Sequence, residues 1–477
     1  MAIPGQTITI NDPGMGLSEP ADTTLYFAGI CSSGSAAVVN TFSSITALVA
    51  AHGRGPAVET AALHLAKNGG PIRFSRLAED TAGALGAVTQ VGGGPAVSDN
   101  SSTPYDSYEM IVYITGAGAL GTATMKWSLD DGRTYSDDIV IPVGGAYTIP
   151  NSGINLTFAA GTYVVDETYS CDCSEPTYTT AELATLVTAI SASDDAFIGF
   201  ILCGRHATAA AANTLAGALS THLDTWESEF RYVGAMLSAV DDIVATTKTG
   251  YTTEDRRILP CYGTADRNSS VPVTGSNTLK RPILDEAAWK AGRELISTDL
   301  ARVASGSLTG IAGPSVAHGV PISHDEYRNE TMDASGFTTL RTWPRLSGYY
   351  LTNGRIKSGL ASDFKYWQYV RVMNVALDIV ITQQTAFQNA SVRTNSDGTI
   401  DTRDANAMEQ IVQRALEGAL TEPFNAEGTK GHVSAVSYTI DRTNNVASTF
   451  TLLSELAVQP LGYNKFITTQ AGFKIGV

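Results

Sequence analysis

The feature that most limits what this chain can fold into is a break in its periodicity. Apolar residues recur at helical spacing up to Leu77, lose that spacing at Ala78, and regain it only at Thr179. Residues 78–178 are rich in Gly, Ser, Thr and Asp. They read as short strands separated by turns: Glu109 to Thr115, Thr122 to Leu129, Ile139 to Val143, Leu156 to Phe158 and Thr162 to Val165. Asp130-Asp131-Gly132-Arg133 supplies the positive φ that a tight hairpin turn needs. A stretch of this kind predicts an all-β domain with its own small core, inserted into a fold that begins before it and resumes after it.

The flanks read as strands alternating with helices. Thr24 to Cys31 is a buried strand pattern, and Ser43 or Ser44 can cap a short helix, Ile45 to Ala51. A second helix, Ala57 to Lys67, ends at Asn68-Gly69-Gly70-Pro71, and Ile72 to Leu77 follows as a strand. After the insertion, Thr179-x-x-Glu182 is a capping box, with Leu183, Leu186, Val187 and Ile190 as the apolar stripe behind it. A strand (Ala196 to Cys203), a helix (Thr208 to Leu223), a strand (Phe230 to Leu237) and a helix (Asp285 to Val303) come next. Residues 304–345 are loop-rich, and Arg345 to Lys357 predicts a hairpin through Asn353-Gly354. The last third predicts a long helix, Phe364 to Ala386, and a second capped by Asp401 or Thr402. The apolar face of that second helix is Met408, Ile411, Val412, Ala415, Leu416, Ala419 and Leu420. A hairpin of His432 to Ile440 with Val446 to Leu453 closes it, and the chain is strand-like from Ala457 onward. The fold class expected is α+β or α/β: a mixed-sheet core with packed helices, an inserted all-β domain, and extended strand-like arms at both termini. The expected divisions are an N-terminal arm (1–21), a core in two parts (22–77 and 179–459), the insertion (78–178) and a C-terminal arm (460–477).

The arms raise a question of pairing. In YNKFITTQAGFKIGV, residues 463–477, Ile467, Thr469, Ala471, Phe473, Ile475 and Val477 fall on one face of a strand. No turn follows to return a partner. Thr7 to Ile10 could pair with it inside the chain, or each arm could join a neighbour's sheet. Fifteen extended residues reach roughly 50 Å, against a radius of gyration of about 20 Å for a core of this size. For the second case the strand contacts expected are Ile8, Ile10, Phe466, Ile467, Phe473 and Ile475. The expected hinges are Gly14, Gly16, Pro460 and Gly462.

The 477 residues carry 31 basic and 47 acidic side chains, a net charge of −16. No basic stripe is present, which argues against nucleic acid as a partner. No stretch has the ~18 apolar residues of a membrane span, and Met1 to Ile10 lacks the pattern of a signal peptide. Synthesis in a cytoplasm without membrane insertion is therefore expected. Of the five cysteines, Cys31 and Cys203 sit in apolar runs and read as buried thiols. Cys171 and Cys173 lie in polar YSCDCSEP, read as an exposed loop whose thiols stay free or join another subunit by a disulfide. Gly116-Ala-Gly118-Ala-Leu-Gly121 matches a dinucleotide fingerprint in letters, but a strand follows where a helix is required, so it reads as a β-loop. His318, His324, Asp325 and Glu326 cluster without a metal-site spacing. No catalytic constellation emerges; no cofactor and no metal are expected.

Several stretches together resemble the tail sheath proteins of contractile phage tails and related injection machines. They are IPGQTITI followed by GICSSGSAAVVNTFSSITALVAAHG, then AALHLAKNGGPIRFSRL at Ala61 to Leu77, then WQYVRVMNVALDIVI, and last LAVQPLGYNKFITTQAG. The β-insertion and residues 304–345 lie outside the resemblance. It implies a structural subunit of a virion tail, assembled in a host cytoplasm as stacked hexameric rings around a tail tube. It also implies contacts with baseplate and tail terminator proteins, and strands lent between neighbours. Contraction would then drive the tube through an envelope on interface energy, without nucleotide hydrolysis. Within this reading the helix Arg403 to Leu420 is the expected tube-facing element, with Glu409, Arg414 and Glu417 outward. The alternatives are the sheath of a bacteriocin or other injection machine, another tail component such as a tube protein, or an α/β enzyme of unknown substrate.

Overall fold

The computed structural model describes residues 24–466, apart from 194–195, 207, 241–243, 315–324, 329–330 and 360. The arm residues Ile8, Ile10, Gly14, Gly16, Ile467, Phe473 and Ile475, and also His318 and His324, lie outside the described residues. Two compact units divide between Asn374 and Val375, so the segment expected as one core from 179 to 459 contributes to both.

The larger unit starts with β1 (Leu25–Gly29), β2 (Asn40–Phe42), α1 (Ile45–His52), α2 (Pro56–Asn68) and β3 (Ile72–Arg76). Ser44 caps α1 by accepting from the Ala47 amide, and Gly69, at φ 79°, ends α2. The insertion follows as β4 (Ala84–Leu85), β5 (Thr89–Val91), β6 (Val97–Asp99), β7 (Glu109–Gly116), β8 (Thr124–Ser128), β9 (Ile139–Val140), β10 (Ala146–Ile149), β11 (Ile154–Phe158) and β12 (Thr168–Ser174). The chain then runs through α3 (Thr180–Ser191), β13 (Gly199–Leu202), α4 (Ala209–Ser228), β14 (Gly234–Val240), α5 (Val244–Gly250), β15 (Ile258–Tyr262), β16 (Thr264–Val273), β17 (Ser276–Pro282) and α6 (Ile283–Arg293). Strands β18 (Ile311–Pro314), β19 (Leu340–Trp343) and β20 (Leu346–Leu351) lead into α7 (Trp367–Thr385), inside which the unit boundary falls.

The central sheet has the order β15-β14-β13-β1-β3-β2, parallel except for β2. Both faces are covered, so β1, β13 and β15 are buried at every residue. One face packs under α2 and α6, the other under α3 and α4. The capping box at Thr179 and the stripe Leu183, Leu186, Val187 and Ile190 are as expected. The insertion has a third core of its own, built around Met110, Val112, Trp127, Leu156, Tyr163 and Tyr169.

A buried ionic network fixes the insertion to the core. Arg281, on β17, is fully buried. Its Nη1 donates to both Asp106 oxygens at 2.8 and 3.0 Å, its Nε to Asp285 at 3.0 Å, and its Nη2 to the Pro56 carbonyl at 2.9 Å. Asp106 belongs to the insertion, Asp285 to α6 and Pro56 to α2, so one guanidinium ties three elements. Burial weakens its hold on the proton, but the carboxylates of Asp106 and Asp285 outweigh this and hold Arg281 well above its ordinary pKa. The Leu129 amide donates to the Gly275 carbonyl at 2.7 Å, and the Asn277 amide to Asp130 at 3.1 Å.

Several sequence expectations are corrected. Cys171 and Cys173 are not in an exposed loop: both are buried on β12, where Tyr169, Cys171 and Cys173 alternate inward and Asp172 and Ser174 outward. The stretch is polar in composition but has the period-two alternation of a half-buried strand. A hydrogen bond to Cys171, with burial, holds the Cys173 thiol far above its usual range, and both sulfurs are buried. The helix begun near Asp285 stops at Arg293, where Glu294 turns extended while its amide still donates to the Lys290 carbonyl. The hairpin expected at Asn353-Gly354 instead turns at Pro344-Arg345, with Arg345 at φ 65°. Thr162 to Val165 is not a strand; β12 takes that place in the sheet.

Removing Arg281 leaves the buried Asp106 without its cation and leaves Asp285 with Arg267 alone. Arg281→Leu is expected to destabilise the larger unit by about 3–5 kcal/mol, read as a lowered midpoint in urea unfolding followed by tryptophan fluorescence. A midpoint within error of the parent would show that the network carries no net stability.

Candidate assembly interface

The smaller unit, from Val375, holds the rest of α7, α8 (Thr402–Leu420), β21 (Val433–Ile440), α9 (Val446–Thr449) and β22 (Ser454–Pro460). Asp401 caps α8 by accepting from the Arg403 amide. The partner of β21 is β22, not the expected Val446 to Leu453. Asn445 accepts from the Ser448 amide and starts a helical turn there, which Phe450 ends at φ 52°. The strand resumes only at Ser454.

The two strands form a two-stranded antiparallel sheet with Ser437 opposite Ala457 and Thr439 opposite Glu455. The Asp441 amide donates to the Leu453 carbonyl at 2.9 Å. Odd-numbered residues of β21 therefore bond to β22, and even-numbered ones turn to the sheet's other edge. That edge is already taken. The Tyr438 amide donates to Gln413 Oε1 at 3.0 Å, Gln413 Nε2 donates to the Val436 carbonyl at 2.9 Å, and the Ile440 amide donates to Glu409 Oε1 at 2.8 Å. Glu409 and Gln413 lie four residues apart on α8 and act as a side-chain substitute for a strand. Arg442 holds the second Glu409 oxygen at 2.7 Å.

The edge of β22 is different. By the same alternation, the backbone groups of Ser454, Leu456 and Val458 point away from β21. Among the described residues no strand pairs with them. Along β22 only Leu456 and Val458 are even half-buried. An edge of this kind is a template for another strand. The same unit exposes Phe424, Phe450, Leu453 and Phe466, the last two phenylalanines at 90 and 92% for Phe450 and Phe466.

The expected site residues divide as follows. Phe466 is exposed beyond β22. Pro460 is the last residue of β22, opposite Val433, and Gly462 follows in irregular chain with open space around it. Arg414 and Glu417 are exposed on α8 as expected, but Glu409 is not outward: it is spent on β21 and Arg442. Ile411, expected in the core, is exposed. Gln413 adds a functional side chain beyond the expected set. Its signal is its place beside the stripe Val412 and Leu416, where a polar residue flanks buried ones.

Other candidate chemistry is accounted for differently. The strand order reverses between β1 and β13, the place where α/β sheets bind ligands outside their carboxyl ends. Near that end, Thr103, Pro104 and Tyr105 of the insertion cover Ile30, Cys31, Ser32 and Arg76, leaving a cavity of about 200 Å³. Burial pushes the Cys31 thiol there up to about 12, so it is no nucleophile at neutral pH. Asp325 accepts from the Thr342 amide, and Glu326 from the Thr331, Met332 and Asp333 amides, so both serve the loop backbone. Gly116 ends β7, and Gly118 and Gly121 lie in the loop between β7 and β8. No described helix is long and apolar enough to cross a membrane.

Replacing the two capping side chains tests the assignment of edges. Glu409→Ala with Gln413→Ala leaves two amides and a carbonyl of β21 without partners, a cost of about 1–3 kcal/mol for each buried group left unpaired. Amide exchange at Tyr438 and Ile440 is expected to speed at least tenfold while Ser437 and Thr439, bonded to β22, change less. Equal exchange in parent and variant would mean that α8 does not protect this edge.

No protein-family model matches the sequence, and no curated protein is similar to it. Solved structures are similar in fold. The helical sheath of the anti-feeding prophage in its contracted state superposes at a TM-score of 0.53, with 12% identity over 99% of each chain. A chain of the anti-feeding prophage baseplate gives 0.52 and 12% over the whole of both chains. The PVC sheath complex of an extracellular contractile injection system, also contracted, gives 0.52 and 10% over 99% of this chain and 98% of that one. At such low identity the likeness speaks for architecture, and this chain has the fold of the sheath proteins of contractile injection systems.

Proposed function

We propose that the chain is a structural subunit of a contractile sheath. The observation that carries this reading is the likeness of fold to two contracted sheaths over 99% of the chain. Subunits stack as hexameric rings around a tail tube, anchored on a baseplate and closed by a terminator. Contraction drives the tube through an envelope. The solved structures reported above come from injection systems, so the reading covers such a machine as well as a phage tail. Arg414 and Glu417 are the proposed tube-facing residues, since Glu409 is engaged by β21 and Arg442.

Strand exchange supplies the links. The edge of β22 at Ser454, Leu456 and Val458 is the acceptor for a neighbour's arm, because the opposite edge is filled by α8. Added backbone bonds would satisfy the outward groups of β22, and a neighbour's apolar side chains would cover its exposed face. Head-to-tail links of this type generate rings or open helices according to the rotation between subunits. The arm residues Ile8, Ile10, Ile467, Phe473 and Ile475 are the proposed donors, with Gly14, Gly16, Pro460 and Gly462 letting them swing.

Electron microscopy of the expressed full chain, with and without a tube protein, tests the class: hollow cylinders are expected, and a monomer at every concentration would count against a sheath. Deleting residues 465–477 is expected to leave a folded subunit that forms no cylinders. Leu456→Pro, which places a ring and removes an N–H on the acceptor edge, should have the same effect. Cylinders from the Leu456→Pro chain would remove β22 as acceptor without touching the sheath assignment.

A further inference from the structure

The cavity of about 200 Å³ lies between the insertion and the carboxyl ends of β1 and β3. Backbone bonds fix its walls. The Thr103 amide donates to the Gly153 carbonyl and the Tyr105 amide to the Ser152 carbonyl, each at 2.9 Å. The Asp80 amide donates to the Thr177 carbonyl and the Thr177 amide to the Thr81 carbonyl, also at 2.9 Å, which ties the strip carrying Glu79 to the strip carrying Pro176. Asp106, next to Tyr105, is clamped by Arg281. The space is formed in advance, so a ligand entering it orders little of the chain.

Two opposite charges line this space, Arg76 and Glu79. Arg76 Nη1 donates to the Gly34 carbonyl at 2.9 Å, but among the described residues its buried Nε has no acceptor. Glu79 is exposed at the rim, and among the described residues neither side chain forms an ion pair, not even with the other. Charge therefore selects the occupant. Glu79 disfavours a simple anion beside Arg76, and Arg76 disfavours a simple cation beside Glu79; a molecule carrying both charges satisfies both. The rest of the wall includes Ile30, Pro104 and Pro176, all buried, which suit an aliphatic group. A cavity of about 150 Å³ holds benzene, so this one has room for roughly eight non-hydrogen atoms. Valine and proline have that size.

We propose that the cavity is a binding site for a small zwitterion of the free amino-acid class. Arg76 takes the carboxylate, whose oxygens supply the acceptor that Nε lacks. Glu79 takes the ammonium, and the aliphatic part lies against Pro104 and Pro176. Because the walls come from both the insertion and the central sheet, the bound molecule ties the two together and stabilises the folded chain by mass action. The inference does not depend on the sheath reading.

The test titrates the full chain by calorimetry with L-valine and L-proline, and with two analogues of valine that each lack one charge. Valinamide keeps the ammonium and N-acetylvaline keeps the carboxylate. L-Valine is expected to bind at one site with a Kd below about 1 mM, and each analogue at least tenfold more weakly. Glu79→Gln is expected to weaken L-valine at least tenfold and to leave N-acetylvaline unchanged. Arg76→Gln is expected to weaken L-valine and N-acetylvaline but not valinamide. Arg76 also holds the Gly34 carbonyl, so if Arg76→Gln fails to fold, Glu79→Gln decides alone. Absence of binding by both amino acids at about 10 mM, or L-valine binding unchanged in Glu79→Gln, overturns the proposal. So does N-acetylvaline binding as tightly as L-valine, which would make this a carboxylate site.

Discussion

The guanidinium of Arg281 is the contact on which the larger unit depends. It is a single fixed cation, wholly out of water, shared by the neck of the insertion, the first turn of α2 and the first turn of α6. Desolvating a charge is expensive, and it is tolerated because each of the three guanidinium nitrogens meets an acceptor. Hydrophobic contact alone would let the inserted sheet slide over the β16–β17 hairpin. A forked donor with three fixed acceptors does not slide, so the network contributes orientation as much as stability. It lets a domain with its own core behave as part of one compact unit.

The smaller unit is organised by a different condition, a sheet edge with no strand partner among the described residues. A two-stranded sheet has two edges, and proteins commonly blunt them. Here α8 blunts one with Glu409 and Gln413, and among the described residues no strand pairs with the other. The asymmetry gives strand addition a single direction, and direction is what turns pairwise contacts into an ordered array.

Much of the fold was legible because it is written at short range. The caps at Ser44, Thr179 and Asp401 and the Gly69 stop each depend on a few neighbouring residues. The insertion was legible as a loss of helical period. The misread elements depended on distant partners. Cys171 and Cys173 lie in a polar-looking stretch and became core once Met110 on β7 lay beside Cys171 and Leu85 on β4 beside Cys173. Residues 446–453 carry a strand-like composition, yet Asn445 and Phe450 hold a helical turn there and move the strand to Ser454. Glu409 looked like a solvated face because sequence cannot show that a strand edge passes beside it.

The sequence by itself determined the alternation of strands and helices, the all-β insertion, the helix boundaries set by caps and glycines, and the lack of a basic stripe. These follow from period, turn chemistry and composition, which act over a few residues or over the whole chain at once. Tertiary structure alone decided the order of the central sheet, the Arg281 junction and which edge of the β21–β22 sheet α8 fills. Each of these is a pairing between residues far apart in the chain, and hydrogen-bond direction and register exist only after the pairing has formed.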